Sequence, residues 1–160
     1  MSIKAMMIFV ILFLAAGWLG LRFTQQELLP EGIAEARHGQ VTYIIDGDTL
    51  ELASGDRVRL IGIDAPERNE PGYAEAKEAL KALLPLGTRV VIELGADTYD
   101  QYGRVLAYLY HDGVFINQEL LEGGWATVLT IPPNTKYQAL LYAAHKRAQE
   151  QRLGLFQTIE

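Results

Sequence analysis

From Gln40 to Asp64 the chain breaks into β-rich runs too short for anything but the strands of a small, tightly turned sheet. "QVTYII" and "DTLELA" lie on either side of Asp46-Gly47, and "SGD" at 54–56 is a turn signal ahead of "RVRLIGID". Residues 40–64 therefore read as a three-strand meander. Inside it, "YIIDGDTLEL" places Asp46 and Asp48 around Gly47, with Tyr43, Ile44 and Ile45 before them and Thr49, Leu50 and Leu52 after. A buried, unpaired carboxylate costs several kcal/mol or takes up a proton. The two acids either mark a solvated Asp-Gly turn or hold something positive.

The rest of the chain is punctuated in the same way. After the loop "APERNEPG", the segment "YAEAKEALKALLP" predicts a helix with Ala74, Leu80, Leu83 and Leu84 on its apolar side, ended by Pro85 and Gly87. "TRVVIEL" at 88–94 has high β-propensity, and "GRVLAYLYHDGVFIN" is a hairpin turning at Asp112-Gly113. "QELLEGG" predicts a short helix. The last helix lies within "PNTKYQALLYAAHKRAQEQRLGLF", with Asn134 or Thr135 as its cap and Gly154 at its end. The fold class expected is α+β: a small antiparallel barrel of the OB type with about three helices, preceded by an N-terminal hydrophobic helix.

That N-terminal segment stands apart. Ala5 to Leu21 carry no charge, and at 1.5 Å per residue the run spans roughly 25 Å, the short end for a membrane crossing. Residues 1–23 read as a membrane anchor, with Trp18 suited to the interface, or as a signal peptide with Ala15-Ala16-Gly17 near its cleavage site. Residues 24–39, with Pro30, Gly32 and Gly39, read as a linker in which Ile33 to His38 could wind into a helix. The globular domain is placed at 40–157.

Composition narrows the chemistry. The chain has no cysteine, which excludes disulfides and thiolate metal sites. Its formal charge of −6 argues against a protein that coats nucleic-acid phosphates non-specifically, so phosphate chemistry would need a few well-placed cations. Asp46, Asp48 and Asp64 each sit at a predicted strand end, and oxygen donors alone select a hard cation such as Ca²⁺ or Mg²⁺. Arg59, Asp64 and Glu67 lie within nine residues, and Arg104 follows Gly103 at a strand start. Two guanidinium groups from separate segments match phosphoryl oxygens with paired donors. His38, His111 and His145 are scattered over a linker, a hairpin and a helix. Tyr99, Tyr108, Tyr110 and Trp125 are expected in the barrel core or at its rim.

The ordered blocks "IDGDTLEL", "RVRLIGIDAPE" and "YDQYGRVLAYLY" resemble the staphylococcal nuclease (thermonuclease) family over residues 40–157. The resemblance implies Ca²⁺-dependent hydrolysis of phosphodiester bonds in DNA and/or RNA, leaving 3′-phosphates. It implies that Asp48, Asp64 and the backbone carbonyl of Ala65 ligate Ca²⁺, with Asp46 supporting the ion from outside. Glu67 would be the general base, Arg59 and Arg104 the phosphate clamp, and Tyr102 a substrate contact. The loop "RNEPGY" and the stretch "LTIPP" (129–133) depart from the family's basic loop and tyrosines, and Gln101 replaces a lysine. Weaker, more salt-sensitive binding is therefore expected. A monomer is expected, either membrane-anchored with its catalytic domain outside the cytoplasm or secreted. The rival reading is a non-catalytic OB-type module that binds nucleic acid or protein.

Overall fold

The computed structural model describes residues 36–157, so the expected N-terminal anchor or signal peptide lies outside the described residues. Eight strands and three helices follow one another as β1 (Ala36–Ile44), β2 (Thr49–Leu52), β3 (Arg57–Leu60), β4 (Gly62–Asp64), α1 (Tyr73–Leu83), β5 (Arg89–Tyr99), β6 (Val105–His111), β7 (Val114–Phe115), α2 (Ile116–Glu122), β8 (Thr127–Leu129) and α3 (Gln138–Glu150). A short 3₁₀ turn, Gly154–Phe156, comes last.

The sheet runs β3-β2-β1-β5-β6-β7, and β3 also pairs with β6, which closes five strands into a barrel. The closing pair is parallel, in register Val58↔Val105 and Arg59↔Leu106. The barrel is thus mixed rather than wholly antiparallel. Closure removes the open edges that strands this short would otherwise expose. β1 serves two neighbours. Its first half pairs with β5 (Ala36↔Glu93 to Gln40↔Arg89), and its second half pairs with β2 after a bulge between Val41 and Tyr43. Residues 36–39, read from sequence as linker, are therefore strand, and His38 is not helical.

The expected third strand of the meander is split. Gly62 adopts φ +82°, and a Cβ there would lie 2.3 Å from Leu141 Cδ1 of α3. The chain bends at this point, and β4 leaves the barrel to pair with β8 (Ile63↔Val128). β5 runs past the expected end at Leu94 to Tyr99, with a register shift between Leu94 and Tyr99 where it pairs with β6. That bulge carries the chain out toward the Asp100 turn.

Alternation along the strands buries Val41, Leu50, Leu52, Val58, Leu60, Val90, Ile92, Ala107 and Leu109. The helices cover this core with Ala76, Leu80 and Leu84 from α1 and its end, Leu120 and Leu121 from α2, and Leu141 and Ala144 from α3. On α1 the inward residue is Ala76, one helical turn before Leu80, and Ala74 is exposed. α3 starts at Gln138 without a side-chain cap. The Asn134 side chain is engaged elsewhere, accepting the amide of Asp97 and donating to the Asp97 carbonyl, each at 3.0 Å, which braces the bulge of β5. Buried Glu93 is fully partnered, accepting from the hydroxyls of Tyr110 and Tyr137 and pairing with Lys136.

Asn117 of α2 is completely buried. It accepts the amide of Leu109 at 3.0 Å and donates to the carbonyl of Ile61 at 2.8 Å, joining α2 to β6 and to the β3–β4 bend. Asn117→Ala leaves both backbone groups without a partner, each costing on the order of 1–3 kcal/mol. Urea unfolding should show a stability loss of about 3 kcal/mol with an unchanged slope.

Candidate active site

Of the two aspartates of "IDGDT", Asp48 holds something positive, and it is Arg59. Asp48 is buried, and its Oδ1 pairs with Arg59 Nε at 3.1 Å and accepts the Thr49 hydroxyl at 2.8 Å. Its Oδ2 accepts the amide of Ala65 at 2.8 Å. Asp46 has a different role: its Oδ1 accepts the amide of Asp48 at 3.0 Å, closing the turn on itself. Gly47 is needed for contact. A Cβ there would lie 2.6 Å from Ala65 Cβ and 2.8 Å from Ala76 Cβ, so only glycine lets the turn settle against the loop after β4 and against α1.

Arg59 is the hub. Nη1 donates to the carbonyls of Leu60 and Ile63, at 2.7 and 2.8 Å, on either side of the Gly62 bend. Nη2 donates to Asp64 Oδ1 at 2.9 Å. Three of its N–H groups thus hydrogen-bond to described residues and Nε pairs with Asp48, which leaves the second Nη2 proton for an incoming acceptor. Burial pushes the Asp48 carboxyl up to about 6, against the pull of Arg59, the Ala65 amide and the Thr49 hydroxyl. One guanidinium does not fully offset the loss of water around this carboxylate.

Arg104 is set up by Asp100, which residue type and resemblance had not singled out. Asp100 Oδ1 accepts the amides of Tyr102 and Arg104 at 2.8 and 3.0 Å, and Oδ2 takes Arg104 Nε at 2.6 Å. The signal for this was an acid opening "DQYGR", the residue type that caps its own turn. Burial works against ionisation of Asp100, but the Arg104 amide and guanidinium and the Tyr102 amide outweigh it and hold the carboxyl below its ordinary value.

These pieces meet at one cleft of about 550 Å³, whose lining includes Arg59, Asp64, Glu67, Tyr102 and Arg104. Asp48 and Ala65 lie beneath it, tied to Arg59 and to each other, and Asp46 stays outside in its turn. The Glu67 side chain is exposed, and its amide donates to Glu70 Oε2 at 2.7 Å. The lining also includes Tyr99, Leu106, Leu129 and Ile131. Of the tyrosines expected in the core or at its rim, Tyr108 and Tyr110 are core residues, and Tyr99, 59% exposed, lines the cleft.

The donor set suits a hard cation. The Asp48 and Asp64 carboxylates, both paired with Arg59, and the Ala65 carbonyl are oxygen donors of the kind such a cation takes. Among the described residues no three His, Cys, Asp or Glu side chains gather as a metal cage. Water and backbone oxygens would have to complete the shell of a cation held there.

Because the Asp100 carboxyl is held low, its ionised form stabilises the fold above the ordinary carboxylate range, and that contribution is lost as pH falls through its folded-state value. Asp100→Asn is expected to lower the melting temperature at neutral pH. The gap to the parent should close in strong acid, where the parent's own carboxyl is protonated, and thermal scans from pH 7 downward would show it.

A family model described as Staphylococcal nuclease homologue matches residues 57–158, beginning at the first residue of β3. The thermonuclease of Staphylococcus intermedius is 34% identical over 125 residues, covering 73% of this chain and 74% of its own. The thermonuclease of Staphylococcus hyicus is 31% identical over 126 residues, 73% of this chain and 74% of its own. An uncharacterized endonuclease of Escherichia coli is 33% identical over 126 residues, 74% of this chain and 76% of its own. With a five-stranded mixed barrel, three helices and these matches across most of its length, the chain belongs to the staphylococcal nuclease family.

Proposed function

We propose that this protein is a nuclease that hydrolyses phosphodiester bonds of DNA or RNA with Ca²⁺, leaving a 3′-phosphate and a 5′-hydroxyl. The observation that carries the reading is the convergence of two arginines and one exposed carboxylate, Arg59, Arg104 and Glu67, on a single cleft. A binding module needs cations for phosphate but has no use for a base beside them. The similarity to thermonucleases supports the same assignment.

In this reading the scissile phosphate enters the cleft between Arg59 and Arg104. The remaining Nη2 proton of Arg59 and the Nη groups of Arg104 donate to its non-bridging oxygens and stabilise the charge that grows there in the transition state. Both guanidinium groups are fixed before substrate arrives, Arg59 by two carbonyls and two carboxylates and Arg104 by Asp100, so little reorganisation accompanies the reaction. Glu67, wet and not drawn into an ion pair with either arginine, takes a proton from the attacking water, the bond from phosphorus to the 5′-oxygen breaks, and that oxygen takes up a proton from solvent. Held by Asp48, Asp64 and the Ala65 carbonyl, Ca²⁺ would supply positive charge at the phosphate and the attacking water. Tyr102, 75% exposed, offers its ring and hydroxyl to the nucleotide.

The uncharged run Ala5–Leu21 supports placing the domain outside the cytoplasm, anchored or secreted, where a weak Ca²⁺ site would fill.

Digestion of single-stranded DNA, duplex DNA and RNA, with Ca²⁺ and with chelator, tests the reading. Cleavage should require Ca²⁺. Glu67→Gln and Arg59→Lys should each lower kcat by about 10²–10³ while the protein stays folded by circular dichroism. Arg59→Lys keeps the charge beside Asp48 but loses the fork geometry. Folded protein that cleaves nothing would hand the assignment to the binding-module reading.

A further inference from the structure

A second groove, of about 340 Å³, is lined by Gly55, Asp56, Arg57, Tyr102, Gly103 and Arg104. Tyr102 and Arg104 also line the cleft of Arg59 and Glu67, so they form the wall that the two depressions share. The volume falls in the range of small-ligand clefts and has room for a nucleotide.

The strand pattern explains the placement. Along β3, Val58 and Leu60 are buried while Arg57 and Arg59 point the other way. Two residues along a strand advance about 6.6 Å. In the parallel pairing, Val58 faces Val105, so Arg57 and Arg104 precede matched positions on neighbouring strands. Three arginines thus follow the seam where the barrel closes, on a chain whose formal charge is −6. Arg57 is the most available of them. Its side chain is 65% exposed, and its partner is Glu51, at 3.0 Å across the open face of the hairpin. Exposed pairs of this kind are weak and give way to a phosphate. The groove's acid, Asp56, accepts the Ser54 hydroxyl at 2.7 Å. The Arg104 guanidinium lies 5.4 Å from the Tyr102 ring centroid, so the shared wall offers both a cation and an aromatic face.

We propose that this groove is a second nucleotide subsite of the nuclease. With the scissile phosphate between Arg59 and Arg104, a single polynucleotide strand crosses Tyr102 and its neighbouring phosphate is gripped by Arg57. The inference rests on the phosphodiesterase reading and deepens it: the substrate is an extended single strand occupying both depressions.

The test compares kcat/KM, with Ca²⁺, on a short single-stranded oligonucleotide and on a dinucleoside monophosphate, which has no neighbouring phosphate. In Arg57→Gln the ratio of the two should fall roughly tenfold, and the salt slope on the oligonucleotide should shrink by about 0.7. Glu51→Gln, which releases Arg57, should raise the ratio. A ratio unchanged in both variants, or one that moves the same way in both, would overturn the subsite. Anisotropy of the labelled oligonucleotide separates this from failure of the nuclease reading. Weakened binding by Arg57→Gln in a protein that cleaves neither substrate would keep the subsite and sink the catalysis. Unchanged binding would sink the subsite.

Discussion

One guanidinium holds together the part of this molecule where chemistry is expected. Arg59 ties the turn before β2, through Asp48, to the end of β4, through Asp64, and grips two carbonyls around the bend between them. Its charge is needed there because Asp48 has been taken out of water, and ionising that carboxylate without a partner would cost more than the hydrogen bonds return. The Asp46-Gly47-Asp48 turn is correspondingly tight. Asp46 closes it from inside, and the missing Cβ of Gly47 lets it press against Ala65 and Ala76. A structural ion pair and a candidate phosphate ligand are thus the same side chain.

Barrel closure adds the second cation. β3 and β6 are far apart in the chain and meet side by side only because five strands close on themselves, with β1 bending at a bulge to serve two neighbours. Their parallel register, with Val58 beside Val105 and Arg59 beside Leu106, brings Arg104, just ahead of β6, close to the arginines of β3. The extension of β5 past its bulge, braced by Asn134, then delivers Asp100, which fixes the turn that Arg104 leaves. Arg59 is held by two carboxylates and two carbonyls and Arg104 by Asp100, so an acidic protein fixes two guanidinium groups at one cleft without a basic surface.

Much of this was legible from short stretches. The strands around Asp46-Gly47, the hairpin at Asp112-Gly113 and the helix from Tyr73 announce themselves through alternation, turn residues and period, because those signals arise from contacts a few residues apart. Arg59, Asp64, Glu67, Tyr102 and Arg104, picked out by residue type and by resemblance, do share one cleft. The misreadings have a common cause. Residues 36–39 look polar and loose because their partner is β5, about fifty residues away. Gly62 looks like part of a strand until Leu141 of α3 is packed on it. Asn134 looks like a helix cap, and its side chain instead serves Asp97. Asp100 was passed over because its worth lies in three hydrogen bonds that exist only once its turn has closed.

By itself, then, the sequence determined the inventory and the local grammar: which residues bear charge, where the chain turns, which runs are strand or helix, and that any phosphate chemistry must rely on a few cations. Tertiary structure decided the roles. It split one predicted strand into β3 and β4, closed the barrel with a parallel pair, turned Asp46 inward to its own loop while giving Asp48 to Arg59, and aligned Arg57, Arg59 and Arg104 along a seam. The physical reason is range. Propensity and periodicity act over a few residues, whereas the pairing of a buried charge, the register of a closing strand and the clearance around a glycine depend on atoms that the chain brings together only when it folds.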